Sequence, residues 1–333
     1  MTTHRPHNMR KAAARLFAAA LTAAALAAAC HNAPEEAVRL RRFEKVLFET
    51  PAERLQEELT AARGEFGTDL LVLQPADPEY MRNVTDFVQD PTMREVYRLV
   101  DSVFGDMREE SHELGRALAR AKELSPALRY DRVYTFVSGM FDYDMRIGCN
   151  SHELVVSLDQ YILPYAKRFN YFNNPLFLVQ QSRRQYLVAD CMAAIGRQHT
   201  AIPQDREMTL LDHMVAEGKA IYFAQQTLPD APDSILMRYT REQMEWMRKN
   251  EKNVWGYLLQ NKILYDNDFM RFHNLIDDAP KTNAFRDSAP RTPYYIGWRI
   301  VEQYAKNSGA SLDELFEETD SQKILSQSNY RPK

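Results

Sequence analysis

From Pro175 onwards the chain keeps a helical spacing of apolar residues, and that long run restricts its fold more than any other feature. Apolar residues that recur at three- and four-residue intervals give each helix one face to bury. The spacing predicts helices over 176–198, 206–226, 240–260, 262–276 and 294–307, with short ones at 311–317 and 320–326. Two of the starts carry a reciprocal cap, Thr240-x-x-Gln243 and Ser311-x-x-Glu314. In such a box each side chain satisfies the backbone N–H of the other residue. Pro280, Pro290 and Pro293 keep 277–293 from being helical throughout.

Ahead of Pro175 the pattern is mixed. "TPAERLQEELTAARGEF" reads as a helix, with Thr50 as its N-cap and Pro51 at the first helical position. "TDLLVLQ", 68–74, is short and apolar. Val96, Leu99, Val100, Val103 and Phe104 form a helix stripe, which continues from Glu109 to Leu124. "YDRVYTFVSGMF" is aromatic and β-branched with alternation, the mark of a strand, and 153–158 gives a second. The loop "DYDMRIGCNS" would join them as an antiparallel hairpin. No linker or repeat divides the chain, so the expectation is one predominantly helical α+β domain over 38–333 with a small antiparallel sheet.

The first 37 residues are of another kind. Residues 1–15 are basic, 16–29 ("LFAAALTAAALAAA") are apolar and small, and Cys30 follows at once. That run is too short to span a bilayer comfortably and matches a secretory leader. A Cys directly after small residues resembles a bacterial lipobox, in which the Cys is lipidated and becomes the new N-terminus. Ala27 stands where Leu is usual, with Leu26 beside it. The alternative is an ordinary signal peptide cleaved nearby. Residues 30–37 then form a tether. Its Glu35 and Glu36 resemble the acidic surface-export signals of some Bacteroidetes lipoproteins. Together these features predict a lipid-anchored protein of the cell envelope, its leaflet and face left open.

Charge excludes one class of partner. The formal charge of -4 becomes -8 once Arg5, Arg10, Lys11 and Arg15 of the leader are set aside. So acidic a remainder, with scattered cations, has no electrostatic reason to bind nucleic acid. Of three cysteines, lipidating Cys30 leaves Cys149 and Cys191, which are expected to be free although a disulfide between them is the other possibility.

The search for chemistry centres on "YLVADCMAAIGRQH", 186–199. A zinc-hydrolase helix carries H-E-x-x-H, two ligands four apart on one face with a general base between. No H-E-x-x-H occurs here. Half-matches at His112-Glu113 (Arg116 in the second slot) and His152-Glu153 (Val156 there) are what chance gives among eight histidines. If Ala189 and Ala193 occupy the ligand slots, methyl groups stand where imidazoles should, and Asp190 holds the base slot. On the next helix Glu217 precedes Gly218, whose place in a helix interior points to a close helix–helix approach. There is no G-x-S-x-G, P-loop, dinucleotide fingerprint or C-x-x-C. Trp246, Trp255 and Tyr257 read as core aromatics rather than a ligand cage. No metal site and no cofactor is expected.

A resemblance runs through these segments. "RRFEKVLFE", "VSLDQYIL", "GKAIYF", "YTREQMEWMRKNEKNVWGYLLQNKILYDND", "APKTNAF" and "YYIGWRIVEQYAKNSGASLDELFEETDSQKILSQSNYRP", in that order, resemble the gliding-motility lipoprotein GldB family of Bacteroidetes. That family in turn is similar to a group of zincin-like peptidases that carry H-E-x-x-H near the place of "ADCMA". The resemblance implies a degenerate zincin-like domain with no intact metal site, in a lipoprotein that supports gliding motility or type IX secretion. In gluzincin-type peptidases a Glu of the second helix is the third metal ligand, and Glu217 matches it. The implied role is a non-catalytic binding or scaffolding module, with the membrane and proteins of the motility or secretion machinery as partners. Ala189, Asp190, Ala193, Glu217 and Tyr295 would mark a surviving groove. The alternative is an unconventional or residual zinc-dependent peptidase that combines Glu217 with His199 or His213.

Overall fold

The computed structural model describes residues 40–139, 146–166 and 175–332, all within the unit Val38–Lys333. The leader, Cys30 and the tether lie outside the described residues. The N-terminal part holds α1 (Phe43–Glu49), α2 (Leu55–Phe66), α3 (Pro78–Gln89), α4 (Pro91–Phe104) and α5 (Arg108–Leu124). Asp77 and Asp90 cap α3 and α4, each followed by a Pro that has no N–H to leave unsatisfied. Thr50 does not cap a helix. It ends α1 in an extended conformation, and a 3-10 turn over Ala52–Arg54 leads into α2.

The sheet corrects the expected hairpin. Its strands are β1 (Arg41–Arg42), β2 (Arg132–Phe136), β3 (Ile147–Cys149) and β4 (Glu153–Ser157), in the order β1-β2-β4-β3. β2 and β4 pair in parallel, with Val133 opposite Leu154 and Thr135 opposite Val156, and β1 is parallel to β2. Only β3 runs antiparallel, with Ile147 opposite Val156, so the sheet is mixed. The physical reason lies in β4, which is buried at every position. A strand covered on both faces belongs to a parallel neighbourhood. The hairpin that does form is β3–β4. Asn150 closes it by accepting the N–H groups of His152 and Glu153 on its side-chain oxygen. Glu44, fully buried, ties α1 to β2 by accepting from the Thr135 hydroxyl at 2.8 Å and from Arg42 at 2.6 Å.

The C-terminal part is helical: α6 (Leu176–Gln181), α7 (Leu187–His199), α8 (Leu210–Thr227), α9 (Asp233–Met237), α10 (Arg241–Gln260), α11 (Phe269–Ile276), α12 (Thr292–Ser308), α13 (Leu312–Glu317) and α14 (Ser321–Ser328). Both expected capping boxes form, and Thr209–Asp212 adds a third at the start of α8. The expected helix 176–198 is broken at Ser182–Arg183, where Ser182 turns its hydroxyl to Arg146. α8 and α12 cross at the centre of the core, beside the fully buried Trp298. A Cβ on Gly218 would lie 2.5 Å from the Gly297 carbonyl carbon, so the two backbones touch there, as the Gly in mid-helix implied. Trp246 and Tyr257 pack on Phe285, and Trp255 on Tyr330, as partly buried aromatics at the edge of the core. The chain is thus a predominantly helical α+β fold. Among the described residues no helix is long and apolar enough to cross a membrane.

Candidate functional site

α7 and α8 meet where Gly196 faces Ala220, with a Cβ on Gly196 only 2.8 Å from the Ala220 Cα. One residue further along, Arg197 grips Glu217 with both arms. Its Nε donates to Oε2 at 2.7 Å and its outer nitrogen to Oε1 at 2.6 Å. The α7 side chain that engages Glu217 is Arg197, one turn beyond Ala193 and two turns beyond Ala189. A guanidinium stands where a ligand partner of Glu217 would be. Burial pushes the Glu217 carboxyl up, but Arg197, Arg291 and Arg238 outweigh it and hold it below the usual carboxylate range.

Asp190 has a different partner set. It is buried, and its Oδ1 accepts from Arg238 Nε at 2.5 Å. Its Oδ2 accepts from the Tyr161 hydroxyl at 2.9 Å and from Arg146 at 3.4 Å. Arg146 also donates to the Gln181 carbonyl and the Ser182 hydroxyl and lies over the Tyr161 ring, 5.2 Å from its centroid. Burial again acts upward on Asp190, and the two guanidiniums overcome it, so the group stays ionised. A carboxylate pinned by two cations is a weak proton acceptor. Asp190 thus clamps α7 to the segment before β3 and to the corner after α9.

Two backbone features frame this cluster. Arg238 and Arg291 both adopt left-handed conformations, at φ 54° and 48°. That region is uncommon for residues with a Cβ and is often held by side-chain contacts. Arg238 ends α9 and reaches Asp190. Arg291 precedes α12, pairs with Asp278 at 3.3 Å and donates to the Met237 carbonyl at 3.4 Å.

Tyr295 is not part of the cluster. It is buried against Trp298 and Arg299, and one helical step of about 100° instead turns Tyr294 towards Glu217 and Arg197. Ala189 and Ala193 are also buried, so with Asp190 and Tyr295 sealed the expected groove does not open along these residues. His199 Nε2 lies 2.9 Å from the Tyr130 hydroxyl, and His213 sits between Phe269 and Phe272. His112 and Glu113 are exposed on α5. Cys149 and Cys191 are both free. The structure brings Cys149 and His199 to the same Tyr130 hydroxyl, a juxtaposition their spacing in the chain does not reveal. Burial pushes the Cys149 thiol up to about 11, which leaves it protonated and weakly nucleophilic. Among the described residues no group of three or more His, Cys, Asp or Glu side chains is placed to hold a metal ion.

Sequence reasoning did not find Arg146, Tyr161, Arg197 and Arg238. Of these only Arg197 left a local signal, four residues after Ala193 and hence on the same helix face. Neither curated proteins nor solved structures yield a significant match to the chain. A family model does: that of the gliding motility protein GldB matches residues 28–332, nearly the whole chain, and the protein belongs to that family.

Proposed function

We propose that the protein is a lipid-anchored component of the cell envelope that serves gliding motility, or the type IX secretion that accompanies it, as a non-catalytic binding or scaffolding module. Family membership supports the motility role. The leader that ends at Cys30 supports the anchor. One observation carries the non-catalytic reading: Arg197 engages both oxygens of Glu217, the carboxylate that a related peptidase would offer to zinc. A cation built into the chain takes the electrostatic place of a metal cation. The buried Asp190, neutralised by Arg146 and Arg238, is a structural counter-charge rather than a base. Its partners are proteins of the motility or secretion machinery, met at the membrane surface.

The test is a gene deletion scored for colony spreading and for secretion of type IX cargo, complemented by wild type, Cys30→Ser and Glu217→Gln. Glu217→Gln keeps the shape and much of the hydrogen bonding at a rim position, so it should restore function. Cys30→Ser should not. Failure of Glu217→Gln, at wild-type protein level, would return the carboxylate to a chemical role. Stoichiometric, tightly held zinc in the purified protein would do the same.

A further inference from the structure

A cleft of about 300 Å³ opens at the entry of the parallel strands β2 and β4. The end of α2 and the turn after it form one wall, with Arg63, Thr68, Asp69 and Val72; the strand entries form the other, with Arg132 and Glu153. The walls carry charges of both signs in two different conditions. Glu153 is buried and satisfied, its carboxylate bonded to Arg132 at 3.2 Å and to the Asn150 amide at 3.1 Å. Arg63 and Asp69 are exposed, and the side chain of neither makes a hydrogen bond or ion pair with any described residue. They line one cleft yet do not pair with each other.

Opposite charges on a common cleft, held apart, are a template for a ligand that carries both. A guanidinium forks onto a carboxylate, and a carboxylate accepts from an ammonium. Arg132 adds a second guanidinium of which Glu153 engages one nitrogen. Val72, 56% exposed, supplies an apolar side to the same space. The volume falls at the lower end of the range for small-ligand sites, which suits an amino acid and not a cofactor. We propose that this cleft binds a small zwitterion of amino-acid size, its carboxylate on Arg63 and Arg132, its ammonium on Asp69 and its apolar side chain against Val72. The proposal is independent of how the chain is anchored and of the Arg197–Glu217 pair.

Equilibrium dialysis of the full chain against L-leucine, leucinamide and N-acetyl-leucine tests it. L-Leucine should bind saturably. Leucinamide lacks the carboxylate and N-acetyl-leucine lacks the ammonium, so each should bind at least about tenfold more weakly, the loss of one charge-assisted contact. Arg63→Ala and Asp69→Asn should each weaken leucine by a similar factor without lowering the melting temperature, because both side chains are exposed and unpaired. Absence of saturable leucine binding by wild type overturns the proposal. Equal binding of all three probes, or leucine binding unchanged in both variants, does so as well.

Discussion

Asp190 serves the protein as a counter-charge that Arg146, Arg238 and Tyr161 share. Replacing it with Ala strips that charge from a buried network, and breaking a buried pair in this way costs about 3–5 kcal/mol. Urea unfolding of Asp190→Ala should show a loss of that size, which is why Glu217→Gln and not Asp190→Ala is the variant suited to complementation. The sign of the pH dependence follows. The folded Asp190 titrates below its ordinary range, so its stabilisation is present above an unfolded pKa of about 3.9 and fades as pH falls through the folded value. The gap between wild type and Asp190→Ala should therefore narrow in acid. Lys219 acts in the same direction at higher pH. It is buried, its ammonium donates to the Glu318 carbonyl, and burial pulls it down to about 8. Between pH 8 and an unfolded value of about 10.4 the unfolded chain binds more protons, so this group makes stability rise with pH. Urea midpoints at both ends of that window should rise less in Lys219→Met than in wild type. An equal rise would show that Lys219 titrates normally.

Two helix glycines separate contact from propensity. A Cβ on Gly297 would lie 1.9 Å from the Met214 carbonyl oxygen, which is backbone and cannot yield without parting α8 from α12. Gly297→Ala should lose about 1–3 kcal/mol or more, the cost of overpacking a core. Gly256 in α10 meets nothing within 4 Å, so Gly256→Ala should gain up to about 1 kcal/mol from helix propensity. Thermal unfolding of the two variants should shift in opposite directions. What the chain reveals by reading follows the same division. Features set by neighbours in sequence were legible: the capping boxes at Thr240 and Ser311, the helix periods after Pro175, and the close approach signalled by Gly218. The box at Thr209 escaped because Asp212, not Glu or Gln, completes it. Features set by distant partners were not legible. The strand types of β2 and β4 were clear, but their parallel pairing depends on what covers β4 on both faces. The arginines on Asp190 come from 44 and 48 residues away, and nothing in the local pattern marks which arginines those are.

Across the whole molecule, the family model covers residues 28–332, while a zincin-like geometry is an expectation drawn from sequence resemblance. That likeness can be tested by supplying what the chain lacks. Zinc needs two ligands four residues apart on one helix face and a third from a neighbouring element. The ion pair between Arg197 and Glu217 makes Ala193 and Arg197 the pair to replace. Arg197→His removes the guanidinium that occupies Glu217 and, with Ala193→His, completes a His-His-Glu set. Arg197 is half exposed, so an imidazole at 197 would stand near the rim, while one at 193 would enter a buried position. If α7 and α8 keep zincin geometry, the double variant should retain about one zinc per chain after dialysis, measured by elemental analysis, and lose it when Glu217→Ala is added. The same double variant with Ala189→His in place of Ala193→His should retain none, because position 189 lies two turns from Arg197. A folded Ala193→His, Arg197→His chain that holds no zinc would mean that the two helices do not keep a metal-binding geometry. The likeness would then lie in the sequence family alone, and the search for the protein's partner would begin from its surface rather than from a vanished active site.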